Sequence, residues 1–238
     1  MLDFDAKLIL VTGAAGNLGQ AVVNAFLKRN ASVVALDHRT GRLEGQFDLR
    51  NSNGKLHFFE GVDLMDRQAV LSLGDRVRDQ VGLVNVIVNT VGGFTAGDRV
   101  DELQPETLQR MIDLNLKSFL NTSAAFVPHL RAKGSGKVIT VGARASLTGS
   151  AKNGAYSAAK SALLRLTESM AAELKGENIQ VNCVIPSTID TPENRQDMPN
   201  ADFSKWVSPN NLAEVILFLA SEQAKCITGV GLPVFGRA

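Results

Sequence analysis

A chain of 238 residues with 45% hydrophobic content has room for one α/β domain with a sizeable core. Its 25 Lys and Arg against 24 Asp and Glu leave a formal net charge of +1, a balance that points away from nucleic acid and anionic membrane surfaces as partners. Runs of about 18 apolar residues, the mark of a membrane span, do not occur, and His38, His57 and His129 lack metal-ligand spacing.

The start, MLDFDAKLILVTG, carries acids where a secretory leader needs basic residues, so a cytoplasmic location is expected. KLILVT (7–12) is a short apolar run closed by Gly13 and reads as a strand. NLGQAVVNAFLKRN (17–30) has helical periodicity, and SVVAL (32–36) reads as a second strand. The polar, Gly-rich stretch 38–54 reads as a loop. Strands follow at 55–61, 84–90, 137–142, 179–186 and 229–236. Helical spacing marks 66–82, 105–132, 154–177 and 210–221, and a long polar loop precedes the last of these helices. Short buried strands alternating with helices predict a parallel sheet of about seven strands, covered on both faces, in one domain spanning 1–238. Cys183 and Cys226 lie far apart in apolar surroundings, and both are expected to be buried structural thiols.

In VTGAAGNLGQ, the residues Gly13, Gly16, Asn17, Leu18 and Gly19 stand where the first strand turns into the first helix. Glycine lets the backbone approach a pyrophosphate, and the amides and dipole at the helix start meet its charge. The plainer reading is a tight turn that packs well. Asp37 ends the second strand, where a carboxylate accepts from both hydroxyls of an adenosine ribose and repels a 2′-phosphate, favouring NADH. His38 and Arg39 follow at once and leave NADPH open. Asp63 and Leu64, just past the third strand, are placed to flank an adenine. NTVGG (89–93), with Asn89 and Gly92, ends the fourth strand, where chain reversal puts it under the cofactor.

Tyr156 and Lys160 are four residues apart and share one helix face. A phenol has a pKa of about 10, and a nearby ammonium stabilises its phenolate, so the pair suits proton transfer near neutral pH. Tyr156 is the only Tyr in the chain.

With TGAAGNLG, DL at 63–64, NTVGG, LN at 114–115, YSAAK and VIPSTIDT together, the chain resembles the short-chain dehydrogenase/reductase family over essentially its whole length. The resemblance implies a Rossmann-type fold, hydride transfer with a nicotinamide cofactor and no metal. It also implies roles: Asn115 holding a water linked to the lysine, Tyr156 as acid, and Lys160 binding the nicotinamide ribose and lowering the Tyr pKa. Pro186, Ile189 and Thr191 fit the segment that touches the carboxamide. The serine that the family usually places thirteen residues before the Tyr falls on residue 143, which is Ala143. The Gly-rich spacing, NTV for the usual NAG, and Pro186–Ser187 for the usual Pro–Gly depart as well. VGGFTAG, GARASLTG and above all TIDTPENRQDMPNADFSKW (188–206) resemble the dihydropteridine reductase-like branch, which lacks the serine and reduces quinonoid dihydropterin with NADH.

The reading is therefore a nicotinamide-dependent reductase of a conjugated acceptor, with a general carbonyl or alcohol dehydrogenase, or a non-catalytic nucleotide-binding regulator, as the alternatives. Ser146 or Thr148 is the candidate to replace the missing hydroxyl. Trp206, the only Trp, either closes with the 188–206 loop over a flat substrate or anchors that loop in the core. Small residues Ala158, Ala159 and Ala162 beside Leu163, Leu164 and Leu166 on the 154–177 helix predict a homodimer or homotetramer, with extra intramolecular core as the alternative.

Overall fold

The computed structural model describes residues 2–47 and 55–237; residues 48–54 of the expected loop lie outside the described residues. Among the described residues, seven strands form one all-parallel sheet: β1 (Leu8–Thr12), β2 (Ser32–Asp37), β3 (Leu56–Glu60), β4 (Val86–Asn89), β5 (Gly136–Val141), β6 (Ile179–Pro186) and β7 (Gly231–Val234), in the order 3-2-1-4-5-6-7. The helices are α1 (Asn17–Leu27), α2 (Arg67–Gln80), α3 (Pro105–Ile112), α4 (Ser118–Lys133), α5 (Gly154–Leu174), α6 (Pro192–Asp197) and α7 (Pro209–Ala220). Every residue of β1, β4, β5 and β6 is buried, as strands covered on both faces must be.

Two apolar layers result. One packs α1 and α7 against the sheet around Phe26, and the other packs α2, α4 and α5 around Phe119 and Phe126. All three rings are fully buried, and truncating any of them to Ala would cost about 3–5 kcal/mol. Asp66 starts α2 by accepting from the Gln68 and Ala69 amides at 2.9 and 3.1 Å.

The chain builds outward from β1 to β3, then returns to place β4 on the other side of β1. That reversal opens a crevice at the carboxyl ends of β1 and β4. The register sets Thr12 beside Asn89, Asn89 beside Thr140 and Thr140 beside Cys183, so four strands end near one level.

Three expectations need correction. The single helix expected at 105–132 is two helices joined by a π turn, Asp113–Lys117; hydrophobic periodicity does not register one extra residue in a turn. The polar segment 188–206 carries its own short helix, α6. Cys183 is buried, but Cys226 is exposed, because it falls in the turn after α7 rather than on a strand. Among the described residues, no helix is long and apolar enough to cross a membrane.

Candidate active site

A cavity of about 540 Å³ occupies the crevice. Of the residues expected to bind cofactor, it is lined by Gly13, Gly16, Asp37, Asp63, Leu64 and Gly92; His38, Arg39 and Arg42 line it too. Asp37 closes β2, and its two oxygens accept from the amides of Ala15 at 3.3 Å and Arg39 at 3.1 Å. The carboxylate is thereby tied to the Gly-rich turn on one side and to its own loop on the other. A Cβ on Gly19 would stand 2.1 Å from the Gly13 carbonyl oxygen, so the turn closes only with glycine there. Gly16, the residue before α1, offers no side-chain cap, which leaves the first-turn amides of Asn17, Leu18 and Gly19 for an anion. Asn89 accepts from the Thr12 hydroxyl at 3.1 Å, while its buried Nδ2 has no protein partner. A glycine-only cradle, uncapped amides and an orphaned buried donor fit a nicotinamide dinucleotide.

Beyond Gly92 lie the residues expected to do chemistry. Tyr156 and Lys160 occupy the first two turns of α5. Lys160 is buried, donates to the Val141 carbonyl at 2.8 Å, and has its Nζ 6.0 Å from the Tyr156 ring centre. Asn115 sits in the π turn, fully buried. Its Oδ1 accepts from the Gly93 amide at 3.2 Å and its Nδ2 donates to the Met111 and Gly93 carbonyls at 2.9 and 3.1 Å. A Cβ on Gly92 would meet Asn115 Oδ1 at 2.8 Å and Lys160 Nζ at 3.0 Å. Glycine there lets the segment after β4 pass between the two side chains. The π turn is the local device that turns Asn115 inward, a common use of such bulges at functional sites.

Burial dominates the ionisation of the pair. It pushes the Tyr156 phenol up to about 12 and the Lys160 ammonium down to about 8. The expected lowering of the phenol by Lys160 is therefore outweighed in the protein alone, where desolvation acts on both groups. Tyr156 also packs edge-to-face with Phe94, with ring centres 4.9 Å apart and planes at 84°. Phe94 is 64% exposed, an aromatic in open water beside the Tyr156 ring. The sequence carries one signal for Phe94, a bulky apolar residue directly after the Gly92–Gly93 pair that follows β4.

Ala143 stands in extended backbone just after β5. The two hydroxyls considered as substitutes part company. Ser146 is buried, and its Oγ accepts from the Ala143 amide at 3.0 Å, near Cys183 Sγ and the Gly142 Cα. The exposed Thr148 donates to the neighbouring Gly149 carbonyl at 3.4 Å.

After Pro186, the segment 188–206 leaves the sheet and returns through a parallel bridge between Ile189 and Val207. Thr191 caps α6 by accepting from the Asn194 amide at 3.2 Å. Asp190 and Arg195 form a two-point ion pair at 2.6 and 2.8 Å, Arg195 covers the Phe203 ring, and Phe203 packs on Trp206 with centres 4.8 Å apart. Trp206 is half-buried within this small cluster, not anchored in the main core. The segment reaches across to the Gly-rich turn, where Asn17 Nδ2 donates to Glu193 Oε2 at 2.8 Å.

Comparison with known proteins agrees with this architecture. A family profile described as short chain dehydrogenase matches residues 7–202. A 3-oxoacyl-(acyl-carrier-protein) reductase of Thermotoga maritima is 27% identical over 244 residues, covering 99% of this chain and 98% of the relative. A cis-4-hydroxycyclohexanecarboxylate dehydrogenase of Sinomonas cyclohexanicum is 30% identical over 241 residues, covering 98% and 96%. The solved structure of a carveol dehydrogenase from Mycobacterium avium in complex with NAD superposes with a TM-score of 0.90 at 25% identity, covering 99% and 98%. The chain belongs to the short-chain dehydrogenase/reductase family and is a nicotinamide-dependent oxidoreductase.

Proposed function

We propose that the protein reduces a flat, conjugated acceptor, of which a quinonoid dihydropterin is the type, using NADH, with Tyr156 as the proton donor. The observation that carries this reading is Ala143 at the usual serine position, with the nearest buried hydroxyl, Ser146, engaged by the Ala143 amide.

When held in this cleft, a nicotinamide dinucleotide would supply the hydride. Tyr156 supplies a proton; burial keeps its phenol protonated well above neutral pH, so the acid is loaded before substrate arrives. Lys160, anchored on Val141, presents its charge to the ribose side of the cleft and stabilises the phenolate left after transfer. Asn115 fixes the Gly92–Gly93 wall through Gly93 and the π turn. Gly13, Gly16, Asn17, Leu18 and Gly19 hold the diphosphate, Asp37 the adenosine ribose, and Asp63 and Leu64 the adenine. Asn89, Pro186, Ile189 and Thr191 complete the nicotinamide side. Phe94 and the Phe203–Trp206 cluster offer aromatic faces to a flat ring.

The chemistry explains why one hydroxyl suffices. Ketone reduction concentrates negative charge on a single oxygen, and a second donor is worth several kcal/mol there. A conjugated electron-poor ring spreads that charge over several atoms, so one proton completes the step. The second reading, a carbonyl or alcohol dehydrogenase, is favoured by the 3-oxoacyl and hydroxycyclohexane activities named for the relatives.

The deciding measurement is kcat/KM for quinonoid dihydropterin, quinones and simple ketones, each with NADH and NADPH. Rapid ketone turnover with indifference to the dihydropterin would hand the site to the second reading. Self-association through α5 is also proposed, although Ala159, Leu163 and Leu164 are taken up by the chain's own core and Ala162 and Leu166 are partly buried against it, which leaves Ala158 as the exposed member of the set. A monomeric mass by sedimentation at micromolar concentration would refute it.

A further inference from the structure

The contact between Asn17 and Glu193 places a carboxylate at the start of the helix that should hold a diphosphate. Asn17 is the first residue of α1, directly after the uncapped Gly16, and its side-chain amide donates to Glu193 Oε2 at 2.8 Å. Glu193 is in the first turn of α6, which Thr191 caps. Its carboxyl is held below the usual range by its own backbone amide first, then by the Thr191 hydroxyl and the Asn17 amide, so it is anionic at neutral pH. Asp190 is paired with Arg195 through two hydrogen bonds, whereas among the described residues the hydrogen-bond partners of Glu193 are neutral donors. A negative charge bound by neutral groups therefore stands beside the first residue of α1.

We propose that Glu193 is an affinity-setting latch: its carboxylate holds the 188–206 segment onto Asn17 in the cofactor-free protein, and a bound dinucleotide must displace it and then sit beside a like charge. The arrangement weakens dinucleotide binding and speeds its release, so each turnover returns the segment to the latched position. The effect is one of positioning and charge; Glu193 takes no part in proton or hydride transfer. This inference rests on the proposed use of the Gly-rich turn for a dinucleotide diphosphate.

The test is Glu193→Gln, which keeps an oxygen to accept from Asn17 and removes only the charge. Dissociation constants for NADH and for adenosine would be measured by calorimetry, and NADH release by stopped-flow fluorescence of Trp206. The variant is expected to bind NADH about 3–10-fold more tightly at low ionic strength and to release it correspondingly more slowly. The gain should shrink towards nothing at about 1 M salt, where exposed charges are screened within a few ångströms. Adenosine, which has no phosphate, should bind both proteins alike. Unchanged or weaker NADH binding by the variant, with wild type binding normally, would overturn the latch alone. Failure of wild type to bind NADH or NADPH would instead overturn the use of the turn for a dinucleotide, and the latch with it.

Discussion

The two ends of the active cleft are built on different principles. At the β1–α1 turn the proposed cofactor site is made from backbone: uncapped amides, a glycine at 19 whose Cβ would collide with the Gly13 carbonyl, and one carboxylate, Asp37, hydrogen-bonded to that turn. At the β5–α5 end the proposed function rests on side chains, Tyr156 and Lys160 with Phe94 beside them, held in place by packing and by the hydrogen bond from Lys160 to Val141. A backbone site tolerates almost no change of shape but accepts any ligand with the right anion. A side-chain site tolerates substitution, and its selectivity moves with each residue.

Single substitutions should separate the two ends. The largest effect is expected from Tyr156→Phe, which should lower kcat by about 10²–10⁴-fold while the dissociation constant for NADH changes by less than about twofold. Near wild-type turnover in that variant would move the proton donor elsewhere, with Ser146 first in line. Gly19→Ala should do the reverse. Its Cβ would collide with the Gly13 carbonyl, so dinucleotide binding should fall by at least about tenfold, and the clash should cost about 1–3 kcal/mol in urea unfolding. A variant that binds NADH normally would show that the turn relaxes and that its backbone geometry is not what selects the ligand.

Asp37→Ser probes the seam between the two principles, a side chain embedded in the backbone site. The ratio of kcat/KM for NADH over NADPH should fall by about tenfold as the like-charge clash with a 2′-phosphate disappears. A wild type that already uses NADPH as well as NADH would show that His38, Arg39 and Arg42 outweigh the carboxylate.

The pH response belongs to the side-chain end. Lys160 has a folded-state pKa lowered to about 8 from 10.5. Below pH 8 the ammonium is charged in both folded and unfolded chains, and its burial is a full burden. Between about 8 and 10.5 the unfolded chain holds a proton that the folded one has released, so stability rises with pH. Relative to Lys160→Met, wild type should gain roughly 3 kcal/mol across that window, read from denaturant midpoints at pH 7 and pH 10. Tyr156 has the opposite sign: its raised pKa removes stability only above pH 10. Catalysis should decline as Lys160 loses its charge near pH 8, and a flat rate profile from pH 7 to 10 would deny Lys160 that part.

The smallest effect is predicted for Ala143→Ser on the proposed acceptor: less than about threefold in kcat/KM, alongside a clear gain on simple ketones. A folded, NADH-binding variant that gains nothing on ketones would break the account of the missing hydroxyl.

Periodicity and turn chemistry alone determined the alternating strands and helices, the parallel sheet, and the nomination of Gly13, Gly16, Gly19, Asp37, Tyr156 and Lys160. These are local properties: a period of 2 or 3.6, a glycine where the backbone must come close, two residues one helical turn apart. Only the tertiary structure decided what depends on distant segments meeting. It set the π turn that points Asn115 at Gly93, and the glycine at 92 threaded between Asn115 and Lys160. It put Phe94 against Tyr156 and tied Glu193 to Asn17 across 176 residues of chain. It also reversed the expected sign at Tyr156, since desolvation depends on everything packed around a group, and a sequence spacing records only its nearest neighbour on the helix.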